Sequence, residues 1–159
     1  YSIKYNINNI AYVPCSSCNL VGLNKSYDIK RKIGVYEHHH QPINVSFGEL
    51  NPSDKINNEI DINKVLQFLG ESEIIVTNTY HGLYFSKLMN KKVILFDAFS
   101  EKFAKTKFKY TKYTGNINND ILKVTNSTAN LLTECIEYND AFYEKVVKML
   151  LRLTCRNAK

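Results

Sequence analysis

The sequence predicts an α/β domain with a doubly wound, mostly parallel sheet, flanking helices and a long C-terminal helix or helix pair. Two apolar, β-branched segments, residues 72–78 and 92–97, have the composition of strands buried on both faces of a parallel sheet. Helical patterns over 61–70 and 82–89 alternate with them, as in βαβ units. From residue 127 to about 153, apolar residues recur every three or four positions, which predicts the C-terminal helical region.

The first half of the chain adds two strands and a capped helix. A short apolar run over 10–13 predicts one strand, and the β-rich segment 32–37 predicts another. In the helix over 61–70 the apolar residues share one face, with Asp61 as the N-cap and Gly70 as the C′ residue after the helix.

Three shorter signals complete the secondary structure. The sequence Asn-Pro-Ser-Asp at 51–54 is typical of a turn. Residues 121–124 predict one more short strand. The pair at 139–140, Asn-Asp, predicts a break in the C-terminal helical region.

The length and composition indicate one globular domain over residues 1–159, and the predicted doubly wound sheet makes that domain Rossmann-like. It has 44% hydrophobic and 23% charged residues, which excludes a disordered chain, a collagen-like chain and a small disulfide scaffold. No apolar run approaches the roughly 20 residues needed to cross a bilayer. Because the sequence opens without Met and without a signal-peptide pattern, we expect part of a longer, cytoplasmic protein.

Cys15 and Cys18 have the CxxC spacing of half a zinc site or of a redox pair. No second CxxC or spaced His pair follows, and the motif leads into an Asn/Gly-rich loop, so we interpret both as reduced, partly buried thiols, with zinc as the alternative. The histidines at 38–40 do not supply three metal ligands, because side chains alternate along an extended chain. We therefore expect no metal site, and a reducing compartment.

The net charge is +6, from 21 Lys and Arg against 15 Asp and Glu. Basic residues concentrate over 102–112, where lysines alternate with Phe103, Phe108 and Tyr110. Such a segment can bind single-stranded nucleic acid, but the sequence holds no nucleic-acid reader motif. We therefore expect a small anionic ligand as the partner, and no nucleic acid.

Candidate binding residues follow the predicted strands, since ligands of doubly wound sheets bind beyond the carboxyl ends of the strands. Asn78, Thr79, Tyr80, His81 and Gly82 come directly after a buried strand and open a helix. Glycine permits close approach of a ligand to the backbone, and a helix N-terminus attracts an anion. The histidine can donate to that anion or act as general acid or base. The alternative is a histidine that only bonds a neighbouring carbonyl and caps the helix.

Two further strand ends add candidates. After the strand over 92–97, Ser100 and Lys102 can meet the same anion if the two strands are neighbours. After the strand over 32–37, His38 is the histidine expected to line the cleft. Ordinary surface loops are the alternative in both places.

The segment 76–82, followed by the helix and by the strand over 92–95, resembles the signature of the polysaccharide pyruvyl transferase family. In that family a strand ends in a Ser/Asn-x-x-His-Gly-like turn, and a helix, a strand and a loop with a lysine follow. The resemblance extends from about residue 10 to about residue 147, with further similar stretches at 12–18, 35–38, 100–103 and 134–143.

The resemblance implies a transferase with a GT-B-like fold, of which this chain is the C-terminal half without the N-terminal half-domain. It implies transfer of a pyruvyl group from phosphoenolpyruvate to a sugar of a bacterial surface polysaccharide (capsule or exopolysaccharide) or its precursor, without a cofactor. His81 would be catalytic, Lys102 would bind an anionic group, and Asn78, Gly82 and Ser100 would shape the pocket. The partners implied are phosphoenolpyruvate and a glycan acceptor, often lipid-linked, which would place the enzyme at the inner face of the cytoplasmic membrane.

One position departs from the family pattern. Members carry an arginine two residues before the histidine, where this chain has Thr79. Threonine lacks the planar fork with which arginine holds a carboxylate or phosphate. The donor would then be held by Lys105 or Lys107, or the function differs. The alternatives are a GT-B-type glycosyltransferase with a nucleotide-sugar donor, and a non-catalytic domain that binds a glycan or a partner.

Overall fold

The computed structural model describes residues 13–44, 54–97, 103, 108–126 and 130–157, with side chains described as far as residue 152. The chain forms two compact units, one of Leu20–Leu132 and one of Tyr1–Asn19 with Thr133–Lys159. The first unit holds the sheet, and the second holds most of the long C-terminal helix.

Five parallel strands form the described sheet of the first unit, which confirms the predicted α/β class. Their spatial order is β2-β1-β3-β4-β5. The strands are β1 (Arg31–Glu37), β2 (Lys55–Asn57), β3 (Ser72–Thr77), β4 (Lys92–Leu95) and β5 (Thr111–Lys112). The described helices are α1 (Ile62–Gly70), α2 (Tyr80–Leu88), α3 (Ile117–Lys123) and α4 (Leu131–Asn157). Strands β2 and β5 are too short to leave a pattern in the sequence, which does not predict them.

Apolar side chains cover both faces of the sheet, as a doubly wound arrangement requires. One face of the sheet carries a buried apolar cluster from β1, β3 and β4, and α3 packs against it; helices α1 and α2 lie on the opposite face. The cluster includes Val35, Ile74, Val76, Ile94 and, from α3, Ile117. Helices α1 and α2 contact each other and the strands. They lie on the face of Gly34, which alternates with Val35 and packs against Phe68 of α1. Burial of these strands from both sides is the main stabilising contribution in this unit.

The strand order reverses between β1 and β3. From β1 the chain passes to β2 on one side, and through α1 it returns to β3 on the other side. The carboxyl ends are in register, with Tyr36 beside Thr77 and Thr77 beside Leu95. In open α/β sheets the ligand crevice lies beyond the carboxyl ends of the two strands at which the order reverses.

Helix α1 begins as predicted but includes the residue that was expected to follow it. The carboxylate of Asp61, its N-cap, accepts a hydrogen bond from Asn63 N at 2.9 Å. Gly70 is the last helical residue and not the C′ residue, and Glu71 is the C-cap. The glycine has a packing reason, because a Cβ at residue 70 would overlap the ring of Tyr27.

The strand predicted over 121–124 is wrong, because these residues belong to α3 and its C-cap. The side chain of Asn116 caps the helix by accepting from Asn119 N. The buried carboxylate of Asp120 accepts from the backbone N–H and from the hydroxyl of Thr114. The polar contacts at the start of α3 therefore favour a helix over the strand that the short apolar pattern predicted.

The break predicted at 139–140 is also wrong, because α4 runs unbroken from Leu131 to Asn157. The amide of Asn139 donates to the carbonyl of Cys135, one turn earlier in the same helix. The Asn139 side chain therefore bonds to a carbonyl of its own helix and does not interrupt the helical backbone.

Some predicted elements lie largely outside the described residues. These are the strand over 10–13, of which only Val13 is described, and the turn over 51–54, of which only Asp54 is described. Residues Ser16–Asn19, which include most of the CxxC motif, form a short 3-10 helix, and a second one, Val21–Asn24, lies where a loop was expected after the motif. In the described part of the chain, no helix has the length and apolarity that crossing a bilayer requires.

A network of charged side chains lies at the amino ends of β1 and β3. The carboxylate of Glu71 accepts from Lys30 Nζ at 2.6 Å and from Gln67 Nε2 at 2.8 Å, and Arg31 Nη2 lies 3.5 Å from it. These hydrogen bonds, that of Lys30 first, hold the pKa of Glu71 below that of an ordinary glutamate.

The free energy of unfolding should therefore decrease as the pH is lowered through the range in which Glu71 becomes protonated. The pKa is lower in the folded chain than in the unfolded chain, so the stabilisation is complete above the unfolded-state value and is lost as the pH falls through the folded-state value. Denaturant unfolding between about pH 6 and pH 3 measures this loss. The loss of unfolding free energy over this pH range should be smaller in Glu71→Gln than in wild type.

The matched control is Glu73→Gln, which removes a more exposed carboxylate paired with Lys92. An equal loss in both variants would contradict the role of Glu71.

Candidate functional site

The candidate site is the carboxyl edge at β1 and β3, residues 36–41 and 77–82, which we call the switch-point edge. Thr79 is the N-cap of α2, and its Oγ1 accepts from Gly82 N at 2.9 Å. The hydroxyl of Thr77 lies 3.1 Å from that of Thr79 and accepts from Thr79 N. Helix α2 therefore begins at Tyr80, two residues earlier than predicted, with the positive end of its dipole at this edge.

Gly82 allows close packing at this edge. It is buried, and a Cβ there would overlap the hydroxyl oxygen of Thr77 and lie 2.6 Å from both Thr79 Oγ1 and Tyr36 Cδ1. The missing side chain thus lets the first turn of α2 lie directly against the ends of β1 and β3.

Asn78 ties β3 to the turn that follows β1. Its Oδ1 accepts from His38 N at 2.9 Å, and its Nδ2 donates to the Gln41 carbonyl at 2.7 Å. Gln41 N in turn donates to the His38 carbonyl at 2.9 Å and closes the turn. Because both polar atoms of this buried amide bond to backbone, we interpret Asn78 as a positioning residue that holds the frame of the edge.

The three histidines after β1 lie close together. Their ring centroids are 4.9 Å apart for His38 and His39, 3.6 Å for His39 and His40, and 5.7 Å for His38 and His40. The expectation that these side chains alternate along an extended chain is therefore wrong, because the chain turns at residues 38–41. Asn58 holds the turn, since its Oδ1 accepts from His39 N at 2.8 Å. Even so, among the described residues no three His, Cys, Asp or Glu side chains are grouped as metal ligands would be.

His81 lies in the first turn of α2 and is exposed to solvent. Its ring stacks on Phe85 at a centroid distance of 5.4 Å and meets the edge of Tyr80 at 5.7 Å. The backbone of His38 is joined to the same segment through Asn78. Imidazole is the side chain that exchanges protons near neutral pH, so this position suits acid–base chemistry at the edge.

An aromatic layer packs on α2 beside His81. Tyr80 stacks on Tyr84 at 6.0 Å and meets the edge of Phe103 at 6.2 Å, while Phe108 lies 5.5 Å from Tyr84. Phe103 and Tyr84 are buried. Phe103 and Phe108 of the basic segment thus contribute to packing on α2.

Two residues at the carboxyl edge carry no distinctive sequence signal. Tyr36 is buried near the end of β1, and burial raises the pKa of its phenol to about 12. Asp97 follows β4 with a φ of 37°, in the left-handed region that few residues other than glycine adopt. Their positions at strand ends are the only signal that could have drawn attention to them.

Four of the predicted anion-binding residues lie outside the described part of the chain: Ser100, Lys102, Lys105 and Lys107. The strand that precedes them does neighbour β3, as the prediction required. In the second unit, Cys15 is half-buried and Cys18 buried, both as thiols. Cys15 Sγ lies 2.9 Å from Ser17 Oγ, and Asn139 Nδ2 donates to Cys18 Sγ at 3.4 Å.

The fold and the switch-point edge define a class of protein. It is the doubly wound parallel α/β domain with polar side chains at the carboxyl ends of the strands where the strand order reverses. Comparison of the chain with protein-family models, with curated proteins and with solved structures finds no significant match. What supports a function is therefore the chemistry of the edge together with the resemblance of the 76–82 motif.

Proposed function

We propose that the switch-point edge binds phosphoenolpyruvate and that the domain transfers its pyruvyl group to a sugar of a bacterial surface polysaccharide or its precursor. The observation that carries this proposal is the exposed position of His81 in the first turn of α2, where the strand order reverses. Ligands of this class of sheet bind there. The resemblance of residues 76–82 to the pyruvyl transferase signature supports the choice of donor.

Pyruvyl transfer joins two sugar hydroxyls to C2 of the enol phosphate. The methylene carbon C3 gains a proton, both hydroxyl oxygens bond to C2, and the bond from C2 to the phosphate oxygen breaks. Of the two hydroxyl protons, one ends on the new methyl group and the other on the released phosphate, so the reaction is balanced without an oxidant or reductant. The protein must carry a proton and neutralise a phosphate and a carboxylate.

In this proposal His81 carries the proton, as general acid toward C3 or as general base toward an acceptor hydroxyl. The positive end of the α2 dipole stabilises the phosphate or the carboxylate. Lys102 adds positive charge and Ser100 a hydroxyl, both from the segment after β4. The contact of Phe103 with Tyr80 supports this assignment, since Lys102 directly precedes Phe103 in the sequence.

Thr79 does not replace the family's arginine as an anion ligand in this proposal. Its side chain is buried and caps the backbone N–H of Gly82. The charge that an arginine fork would supply comes instead from the lysines of the segment after β4, Lys102, Lys105 and Lys107. Lysine is a point charge, so the donor is held by charge more than by bidentate geometry.

Calorimetric titration of phosphoenolpyruvate, and separately of UDP, into the chain tests the proposal. Wild-type chain should bind phosphoenolpyruvate, and His81→Ala should bind it about tenfold more weakly, as expected for loss of one charge-assisted hydrogen bond. The matched control is Lys92→Gln, which removes a charge at the amino end of β4 and should bind like wild type. Thermal unfolding of each variant shows that it is folded.

Each other outcome has a definite meaning. Phosphoenolpyruvate binding that His81→Ala leaves unchanged would contradict the role of His81. Binding of UDP alone would replace pyruvyl transfer by glycosyl transfer from a nucleotide sugar. A folded chain that binds neither would overturn donor binding by this domain and leave glycan or partner binding.

A further inference from the structure

We propose that helix α4 pairs with α4 of a second copy of this chain, in antiparallel orientation, through an exposed apolar stripe. The stripe is formed by Tyr138, Phe142, Val146 and Met149, spaced by four, four and three residues along one side of the helix. Tyr138, Phe142 and Met149 are 61%, 42% and 56% exposed. With Val13 the stripe lines an open groove of about 430 Å³. A contiguous apolar surface of this kind marks an interaction site.

Charge selects the partner. The first half of α4 carries only acidic charges, and the second half carries only basic charges: Glu134, Glu137, Asp140 and Glu144, then Lys145, Lys148, Arg152 and Arg156. The helix dipole favours such a distribution only within the first and last turns, whereas here it continues to the middle. A parallel copy would set like charges against each other. An antiparallel copy sets each acidic half against a basic half.

The charged residues beside the stripe indicate one register for the two antiparallel helices. Glu134 and Arg152 are 18 residues, or about five turns, apart, and Glu137 and Lys148 are 11 residues, or about three turns, apart. All four therefore lie along one flank of the helix. A twofold axis near residue 143, the midpoint of both pairs, sets Glu134 against the partner's Arg152 and Glu137 against the partner's Lys148.

The apolar stripe has the same centre. The midpoint of Tyr138 and Met149, and that of Phe142 and Val146, both fall at residues 143–144. One twofold axis therefore brings the stripes together and pairs the charges, as a self-complementary interface requires. Within one chain Lys148 pairs with Glu144 at 3.5 Å, but both side chains are about 70% exposed, and such a pair contributes too little to compete.

Size-exclusion chromatography with light scattering, over a series of concentrations, tests the proposal on the whole chain. Wild type should be dimeric at about 100 μM and dissociate on dilution. The double variants E134K/E137K and K148E/R152E each place like charges together, and each should weaken dimerisation at least tenfold. An equimolar mixture of the two should restore the dimer, because one chain is then basic at both ends of α4 and the other is acidic at both ends.

The proposal is overturned if wild type stays monomeric at that concentration, if both double variants dimerise like wild type, or if the mixture does not restore the dimer. Carboxyl-to-amine cross-linking of mixed isotope-labelled and unlabelled chains identifies the occupant. Links between chains from Glu137 to the partner's Lys148 support the proposal. Links within one chain from Lys4 to the acidic half of α4 would assign the groove to residues 1–12 and overturn it. Circular dichroism confirms that α4 is retained in each variant.

Discussion

Gly82→Ala is expected to lower the free energy of unfolding by about 3 kcal/mol, in the upper range for an overpacked core. Helix propensity alone favours alanine over glycine by about 1 kcal/mol, so a net loss must come from packing. The added Cβ would overlap the Thr77 hydroxyl and lie 2.6 Å from the ring of Tyr36. Both neighbours are buried at strand ends, so relief requires α2 to move away from the sheet. Denaturant unfolding measures the effect.

Ser86→Ala is the matched control, since it places alanine at another buried position of α2. The Ser86 hydroxyl has no hydrogen-bond partner among the described residues. Its removal relieves an unsatisfied polar group and improves helix propensity, so stability should stay the same or rise by up to about 1 kcal/mol. Equal stability of the two variants would show that α2 does not need its close approach to the strand ends.

Asn78→Ala is expected to lower the free energy of unfolding by about 2 kcal/mol, because it leaves a backbone donor and a backbone acceptor of the histidine turn without their partner. Asn78→Asp should be more damaging. It keeps the acceptor for His38 N but places an oxygen where Nδ2 lies 2.7 Å from the Gln41 carbonyl. Denaturant unfolding gives the size of both effects, and hydrogen exchange at the His38 amide localises them.

Asn58→Ala removes the corresponding bond on the exposed side of the turn, where Asn58 accepts from His39 N. Solvent can replace this partner, so stability should change by about 0.5 kcal/mol or less. If Asn78→Ala is no more destabilising than Asn58→Ala, Asn78 is not a positioning residue of the edge.

The predicted elements that the structure confirms have local signals. Strand β3 has four consecutive β-branched residues, 74–77, strand β4 has an apolar run over 93–95, and α1 has an acidic cap before a periodic apolar face. The two wrong predictions in the C-terminal part had competing local signals. Asn116 and Asp120 build a helix where four residues suggested a strand, and Asn139 bonds to its own helix where it suggested a break.

The two glycines of α1 and α2 show why local signals are not enough. Gly70 suggested a helix end, and Gly82 suggested ligand access. Each also makes room for an aromatic ring from a distant part of the chain, Tyr27 beside Gly70 and Tyr36 beside Gly82, which neither local signal indicates. A single sequence does not show which residue will occupy the space that a glycine leaves.

The sequence by itself determined the parallel α/β class, the polar run after β3 and the charge polarity of α4, because hydrophobic period, β-branching and charge are properties of consecutive residues. The tertiary structure alone decided that the strand order reverses between β1 and β3, that Asn78 holds the turn of the histidines, and that the rings of Tyr27 and Tyr36 lie beside Gly70 and Gly82. Pairings between residues about 40 positions apart in the chain depend on how the strands associate, and the free energy of that association resides in burial across the whole sheet and not in any one segment.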